Sequence, residues 1–118
     1  MVNRIAICDD VEVERFVLKR QLMVYFQTNG REAQIQEYES GESLLADIEE
    51  GYIWPDLIFL DIYMNGINGM ETARKIRLWD TSCHIIFVTT SSDFAVDSYE
   101  VKATYYLIKP TTEEQVSK

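Results

Sequence analysis

Long apolar runs are missing from this chain. No stretch approaches the ~20 residues that a bilayer-spanning helix needs, which excludes that architecture. Cysteine is scarce: Cys8 and Cys83 are too few for a disulfide framework, and Cys8, inside an apolar run, reads as a small buried hydrophobe. Bases are outnumbered by acids, 11 to 20, for a formal net charge of −9. Such a balance repels the phosphate backbone on average, so direct contact with DNA or RNA is not expected of this segment. The opening MVNRIAICDD has too short an apolar run for a secretory signal and reaches acid at once, so a cytoplasmic location is expected. Repeats, low-complexity tracts and internal linkers are also missing. The 118 residues, 47% of them hydrophobic, are therefore expected to make one domain with a real core.

What is present is an alternation of apolar runs with amphipathic stretches. Residues 4–8 (RIAIC) read as a buried strand, and apolar residues at helical spacing over 11–26 read as a helix that Thr28-Asn29-Gly30 stops. Residues 34–38 (QIQEY) alternate as an edge strand does. A helix is expected from Ser40-Gly41-Glu42-Ser43 to about Glu49, a strand over 56–60 and a helix over 69–78. A strand over 84–88, a helix over 93–101, a strand over 105–108 and the start of a last helix over 111–118 complete the pattern. Strands alternating with helices imply right-handed crossovers and a parallel sheet covered on both faces.

The strand ends carry the chemistry. RIAIC leads into Asp9-Asp10, LIFL into Asp61, IIFV into Thr89-Thr90 and YYLI into Lys109. In an open parallel sheet these carboxyl ends share one rim, where ligands bind. Any strand must end in something polar, but four strands ending in acid, acid, hydroxyl and amine point to a common site. Carboxylates ~4 Å apart repel by at most about 4 kcal/mol per pair at an effective dielectric of ~20. The cluster must take up protons, pair with Lys109 or bind a cation. Only one lysine is at hand, and a hard ion such as Mg²⁺ suits oxygen ligands of this kind. A carboxylate so placed can attack phosphorus and form an acyl phosphate. The cation and Lys109 would offset charge on the transferring oxygens, and Thr89 could donate to one of them.

Over essentially its whole length the sequence resembles the receiver domain of two-component response regulators. The resemblance rests on ICDD at 7–10, FLDIYMNGINGME at 59–71, IIFVTTSS at 85–92 and YYLIKP at 105–110, in this order and at this spacing. It implies a flavodoxin-like, doubly wound sheet of order 2-1-3-4-5 with Asp61 as phosphoacceptor. Asp10, with Asp9 partly through water, would hold Mg²⁺, aided by Asp61 and the backbone carbonyl of Tyr63. Thr89 and Lys109 would touch the phosphoryl group, and the Lys109–Pro110 bond would be cis. Switching would run through Thr89 and Tyr106 to the face made by the fourth helix, fifth strand and fifth helix. Tyr63 and Ser91 fall where the family varies its hydrolysis rate, and Tyr63 is expected to shield the acyl phosphate from water.

The implied partners are a sensor histidine kinase and a covalently linked output domain. The tract SYEVKATYYLIKP at 98–110 is most similar to receivers joined to LytTR-type DNA-binding domains, so transcription control is expected. The chain stops about two turns into its fifth helix, which points to a truncated segment and makes dimerisation through that face doubtful. Departures from the family are Asn65 for proline, Asn68 for aspartate, and Thr90 for a smaller residue, whose bulk is expected to narrow access. A haloacid-dehalogenase-type phosphatase would need an acid at 63, where Tyr63 stands. A flavodoxin would need glycine and hydroxyls in CDDVEVE at 8–14, which has neither. The remaining alternative is a receiver that only binds partners, without phosphorylation. His84 lacks the flanks of a phosphodonor and is read as structural.

Overall fold

A computed structural model describes residues 2–109 of the chain. The expected cis bond at Lys109–Pro110 and the last helix, 111–118, lie outside the described residues. Five strands, β1 (Val2–Cys8), β2 (Glu32–Tyr38), β3 (Leu57–Leu60), β4 (His84–Thr89) and β5 (Tyr105–Ile108), form one sheet of order β2-β1-β3-β4-β5. Every neighbouring pair is parallel, as the alternation with helices predicts.

The central strands read as unbroken apolar runs because both of their faces are covered. Ile5, Ile7, Phe59, Ile86 and Val88 meet Leu18, Leu22 and Phe26 of α1 (Glu12–Thr28) on one face. Their neighbours Ala6, Cys8, Ile58, Leu60, Ile85 and Phe87 point to the other face. There they meet Leu44, Leu45 and Ile48 of α2 (Gly41–Glu49) and Met70, Ala73 and Ile76 of α3 (Gly69–Trp79).

Helix ends follow local chemistry. Ser40 caps α2 by accepting from the Ser43 amide at 3.1 Å, and Asn68 caps α3 by accepting from the Glu71 amide at 2.9 Å. Asparagine at 68 thus does the work that an aspartate would do. Gly30, at φ 64°, turns the chain out of α1, and the next amide, of Arg31, returns to the Phe26 carbonyl.

The expected fourth helix is not formed as an α-helix. Residues 93–96 make turns, and Asp97–Val101 form a single 3₁₀ helix. The reason is competition for the Ala95 carbonyl, which accepts from Ser98 Oγ at 2.6 Å while the Tyr99 amide turns to the Val96 carbonyl three residues back. The Phe94 amide goes to the Tyr106 hydroxyl and the Asp93 amide to Ser91 Oγ. No side chain caps the segment, and it closes on Lys102 in the left-handed conformation. Arg77 anchors its far end, donating to the carbonyls of Val101, Cys83 and Lys102 at 2.6, 2.7 and 3.2 Å.

Candidate functional site

The sheet ladders run on into the residues that carry the chemistry. The Asp9 amide donates to the Tyr38 carbonyl, the Asp61 amide to the Cys8 carbonyl at 2.9 Å, and the Lys109 amide to the Thr89 carbonyl at 2.8 Å. Parallel pairing therefore sets Asp9, Asp61, Thr89 and Lys109 along one edge with no freedom of register.

Asp9, Asp10 and Asp61 converge: each offers a carboxylate oxygen within 4.8 Å of the others. Asp9 and Asp61 are buried, Asp10 less so. The Lys109 ammonium lies 2.7 Å from Asp9 Oδ2, 3.6 Å from Asp61 Oδ2 and 4.0 Å from Glu14 Oε2. The lysine expected to serve the phosphoacceptor thus pairs first with Asp9. Asp9 uses both its oxygens, since Oδ1 accepts from the Val11 amide at 2.9 Å. Among the described residues Asp10 accepts only from the Asn65 amide, at 3.2 Å. A narrow pocket of about 40 Å³ reaches Asp61 past Glu14, Val17 and Lys109. A larger groove of about 420 Å³ between α1 and β5 is mostly apolar and gathers no acids, so the chemistry belongs to the smaller pocket.

Burial and the Asp9 charge push the Asp61 carboxyl up to about 6, against the opposing pull of Lys109 and the amides of Ile62 and Tyr63. Burial works against the Lys109 charge. The hydrogen bond that Lys109 donates to Asp9 and the field of Asp61 outweigh that effect and hold the ammonium above its ordinary range. Behind the acids, burial and the charges of Asp9 and Asp61 push the Cys8 thiol up to about 12, so this cysteine is a packing residue.

Thr89 closes β4 with no exposure, and its Oγ1 has no hydrogen-bond partner among the described residues. A buried hydroxyl left unpaired costs about 1–3 kcal/mol, so its place calls for an explanation. Tyr106 is half-buried against Phe87, and its hydroxyl donates to the Ser91 carbonyl at 2.6 Å. Tyr63 stands partly exposed at the rim, its ring edge-on to Phe94 and its hydroxyl donating to Asp93 at 3.1 Å. Ser91 Oγ accepts from the Asp93 amide. Gly69, the first residue of α3, lies so close to the Asp61 carbonyl that a Cβ there would collide with it.

Three supporting residues were not singled out from the sequence. Arg15, buried on α1, donates to the Asp9 carbonyl at 2.7 Å. Glu42 accepts from the Ile67 amide and steadies the β3–α3 loop, and Arg77 gathers carbonyls around the end of the 3₁₀ helix. Only Arg15 left a readable trace, since a charge three residues before Leu18 and seven before Leu22 falls on the apolar face of α1.

A family profile described as "Response regulator receiver domain" matches residues 5–118. The sensory transduction protein LytT of Oceanobacillus iheyensis is 46% identical over 79 residues, covering 65% of this chain and 31% of that protein. LytT of Bacillus subtilis is 30% identical over 113 residues, covering 96% of this chain and 44% of its own. The chain thus spans less than half the length of these relatives. Among solved structures, the response regulatory domain of mrkE from Klebsiella pneumoniae superposes with a TM-score of 0.84 at 23% identity, covering 97% of this chain and 88% of that one. Response regulator TrrA from Thermotoga maritima, solved in complex with Mg²⁺ and BeF, gives a TM-score of 0.80 at 32% identity, covering 97% and 92%. The sheet order, the acids gathered at its carboxyl edge and these matches place the chain in one family: it belongs to the response regulator receiver domains.

Proposed function

We propose that this receiver domain accepts a phosphoryl group on Asp61 and passes the event to an output through the β4–β5 side of the sheet. The observation that carries the reading is the environment of one carboxylate. Asp61 is buried beside two further acids and one ammonium, while a buried hydroxyl at the end of the next strand lacks a partner. In the transfer, an Asp61 carboxylate oxygen attacks phosphorus and the P–N bond of a kinase phosphohistidine breaks. The bonding pair leaves with the imidazole, which takes up a proton.

The donor set suits a hard divalent cation: three carboxylates face a single ammonium, and the Asp10 carboxylate is the least used of them. Asp10 and Asp61 would hold Mg²⁺, with Asp9 through water and the Tyr63 carbonyl as a further ligand. Bound there, the ion supplies charge neutralisation for the phosphoryl oxygens. Lys109 holds Asp9 in place and extends its charge toward Asp61. Thr89 has a free hydroxyl to donate to a phosphoryl oxygen, which accounts for its unpaired state. As Thr89 turns toward that oxygen it makes room beside Phe87, and Tyr106 can follow inward and release Ser91. Tyr63 and Ser91, two residues beyond Asp61 and Thr89 respectively, would tune hydrolysis, with Tyr63 restricting water at the acyl phosphate.

The phosphodonor is a histidine kinase, and α1 offers it exposed Val13, Phe16 and Val17 beside the pocket. The output is a covalently linked domain, of DNA-binding type by analogy with the LytT relatives, so the chain acts as a cytoplasmic signalling domain and not as an enzyme for an external substrate. No helix among the described residues is long and apolar enough to cross a membrane. Homodimers would use the 3₁₀ helix and β5.

Incubation with acetyl phosphate and Mg²⁺, read by intact mass, tests the central step. A single phosphoryl adduct is expected, absent in Asp61→Asn and absent in EDTA. An unmodified wild-type mass would overturn the reading and leave a domain that only binds partners.

A further inference from the structure

The geometry points to Arg15 as the residue that sets the affinity of the acid pocket for its divalent cation, by gripping the β1–α1 turn from the inside. The inference rests on the phosphoacceptor reading of the pocket, but it concerns a side chain which that reading does not use.

Arg15 is 8% exposed and lies on the face of α1 that carries Leu18, Leu22 and Phe26. A guanidinium is costly to bury there, and an apolar side chain of similar volume would commonly pack as well or better. Its contacts show what the charge does instead. Nη1 donates to the Asp9 carbonyl at 2.7 Å, and the Arg15 backbone amide donates to the Val11 carbonyl at 3.2 Å. One residue thus holds both ends of the turn Asp9-Asp10-Val11. Between those ends stands Asp10, whose carboxylate has, among the described residues, only the Asn65 amide to orient it. The direction in which Asp10 leaves the backbone therefore depends on the peptide that Arg15 fixes.

The charge balance fits the same role. Arg15 Nε pairs with Glu37 of β2 at 3.3 Å, and Lys19 reaches the other oxygen of Glu37 at 3.4 Å. An unpaired guanidinium behind three carboxylates would compete with a bound cation. Glu37, which it shares with Lys19, offsets part of that field at the site and leaves the orienting hydrogen bond in place. Arg15 is a positioning residue: it shapes the ligand set from behind without entering it, and such partners commonly change metal affinity tenfold or more.

Calorimetric titration of Mg²⁺ into the unphosphorylated protein measures the effect without requiring phosphoryl transfer. Arg15→Met should weaken Mg²⁺ binding about tenfold, and Arg15→Lys, which can supply the hydrogen bond but not the fork, should recover about half of the loss on a logarithmic scale. In the acetyl phosphate reaction the half-saturating Mg²⁺ should rise in parallel, with the rate at saturating Mg²⁺ within about twofold of wild type. Arg15→Lys serves where Arg15→Met does not fold, and Glu37→Gln, which keeps the turn, should weaken binding less than Arg15→Met does. An unchanged Mg²⁺ affinity in Arg15→Met, or in Arg15→Lys if the former does not fold, would overturn the inference, even if urea midpoints fell. Absence of any Mg²⁺ binding by the wild type would overturn it too. Altered Mg²⁺ affinity in a protein that never takes up phosphate would sustain it and sink the phosphoacceptor reading.

Discussion

The two sides of the site are built to different standards. On the acid side, where β1 and β3 end, nearly every polar group has a stated partner. Asp9 is held through its amide, its carbonyl and both carboxylate oxygens. The β3–α3 loop is tied by the Asn68 cap, by Glu42 and by the contact of Gly69 with the Asp61 backbone. On the other side, where β4 and β5 end, Thr89 keeps a hydroxyl with no partner among the described residues, and residues 91–94 are held largely through the hydroxyls of Tyr63, Tyr106 and Ser91. The segment beyond winds as a 3₁₀ helix and ends on Lys102 at φ 54°, a conformation that disfavours side-chain-bearing residues. The lesson is a division of labour. Crowded carboxylates need a rigid frame to stay together, whereas the bonds on the other side can be exchanged cheaply, as the proposed switch requires.

Each side can be tested against that contrast. The largest effect is expected from Gly69→Ala. The new Cβ would collide with the Asp61 carbonyl and the Ile62 Cα, which are backbone atoms and yield little, so folding stability in urea should fall by about 3 kcal/mol. A loss below about 1 kcal/mol would show that the acid side has more slack than described.

Next comes the response to pH without metal. Asp61 is raised from 3.8 to about 6, so the folded protein binds the proton more tightly than the unfolded chain does. Stability should therefore fall as pH rises from about 4 to about 6, by on the order of 2–3 kcal/mol from this group. In Asp61→Asn that part of the pH dependence should vanish. A wild-type protein that gained stability across the same interval through Asp61 would mean that Lys109 dominates the pair.

Smaller changes are expected on the other side. Thr89→Val removes a hydroxyl that has no partner and keeps the shape, so stability should stay within about 1 kcal/mol of wild type or rise. Its phosphorylation rate should nonetheless fall, which separates a role in chemistry from one in folding. A loss of 2 kcal/mol or more, read in the same urea experiment, would mean that the hydroxyl has an unseen partner. The smallest effect belongs to the rim. Tyr63→Asn should shorten the lifetime of the acyl phosphate about threefold, or ~0.6 kcal/mol, in a time course of phosphoprotein decay. An unchanged decay rate would remove Tyr63 as a shield.

Much of this was legible before the fold was known, because it depends on local rules. RIAIC, LIFL and IIFV announce buried strands by being apolar on both faces, and the residue after each names the chemistry at the rim. Ser40 and Asn68 announce their helices through capping chemistry, which acts across three residues. The helix expected over 93–101 did not form as such. Its apolar spacing is helical, but Ser98 Oγ takes the Ala95 carbonyl from within the segment, while the Tyr106 hydroxyl that holds the Phe94 amide comes from β5 and needs the fold. Arg15 left a trace as a charge on an apolar face, yet its partner, the Asp9 carbonyl, is backbone and has no signature.

The order of residues alone decided that this chain makes a parallel sheet and that acids, a hydroxyl and an amine crown its strands. Periodicity and strand-end polarity act over a few residues and survive without any knowledge of neighbours. Tertiary structure alone decided which of those groups bond: that Lys109 turns first to Asp9, 100 residues away, that Thr89 is stranded, and that Arg15 steadies the turn bearing Asp10. Partner choice at close quarters is settled by packing and burial, where a fraction of an ångström and one displaced water change which pair wins.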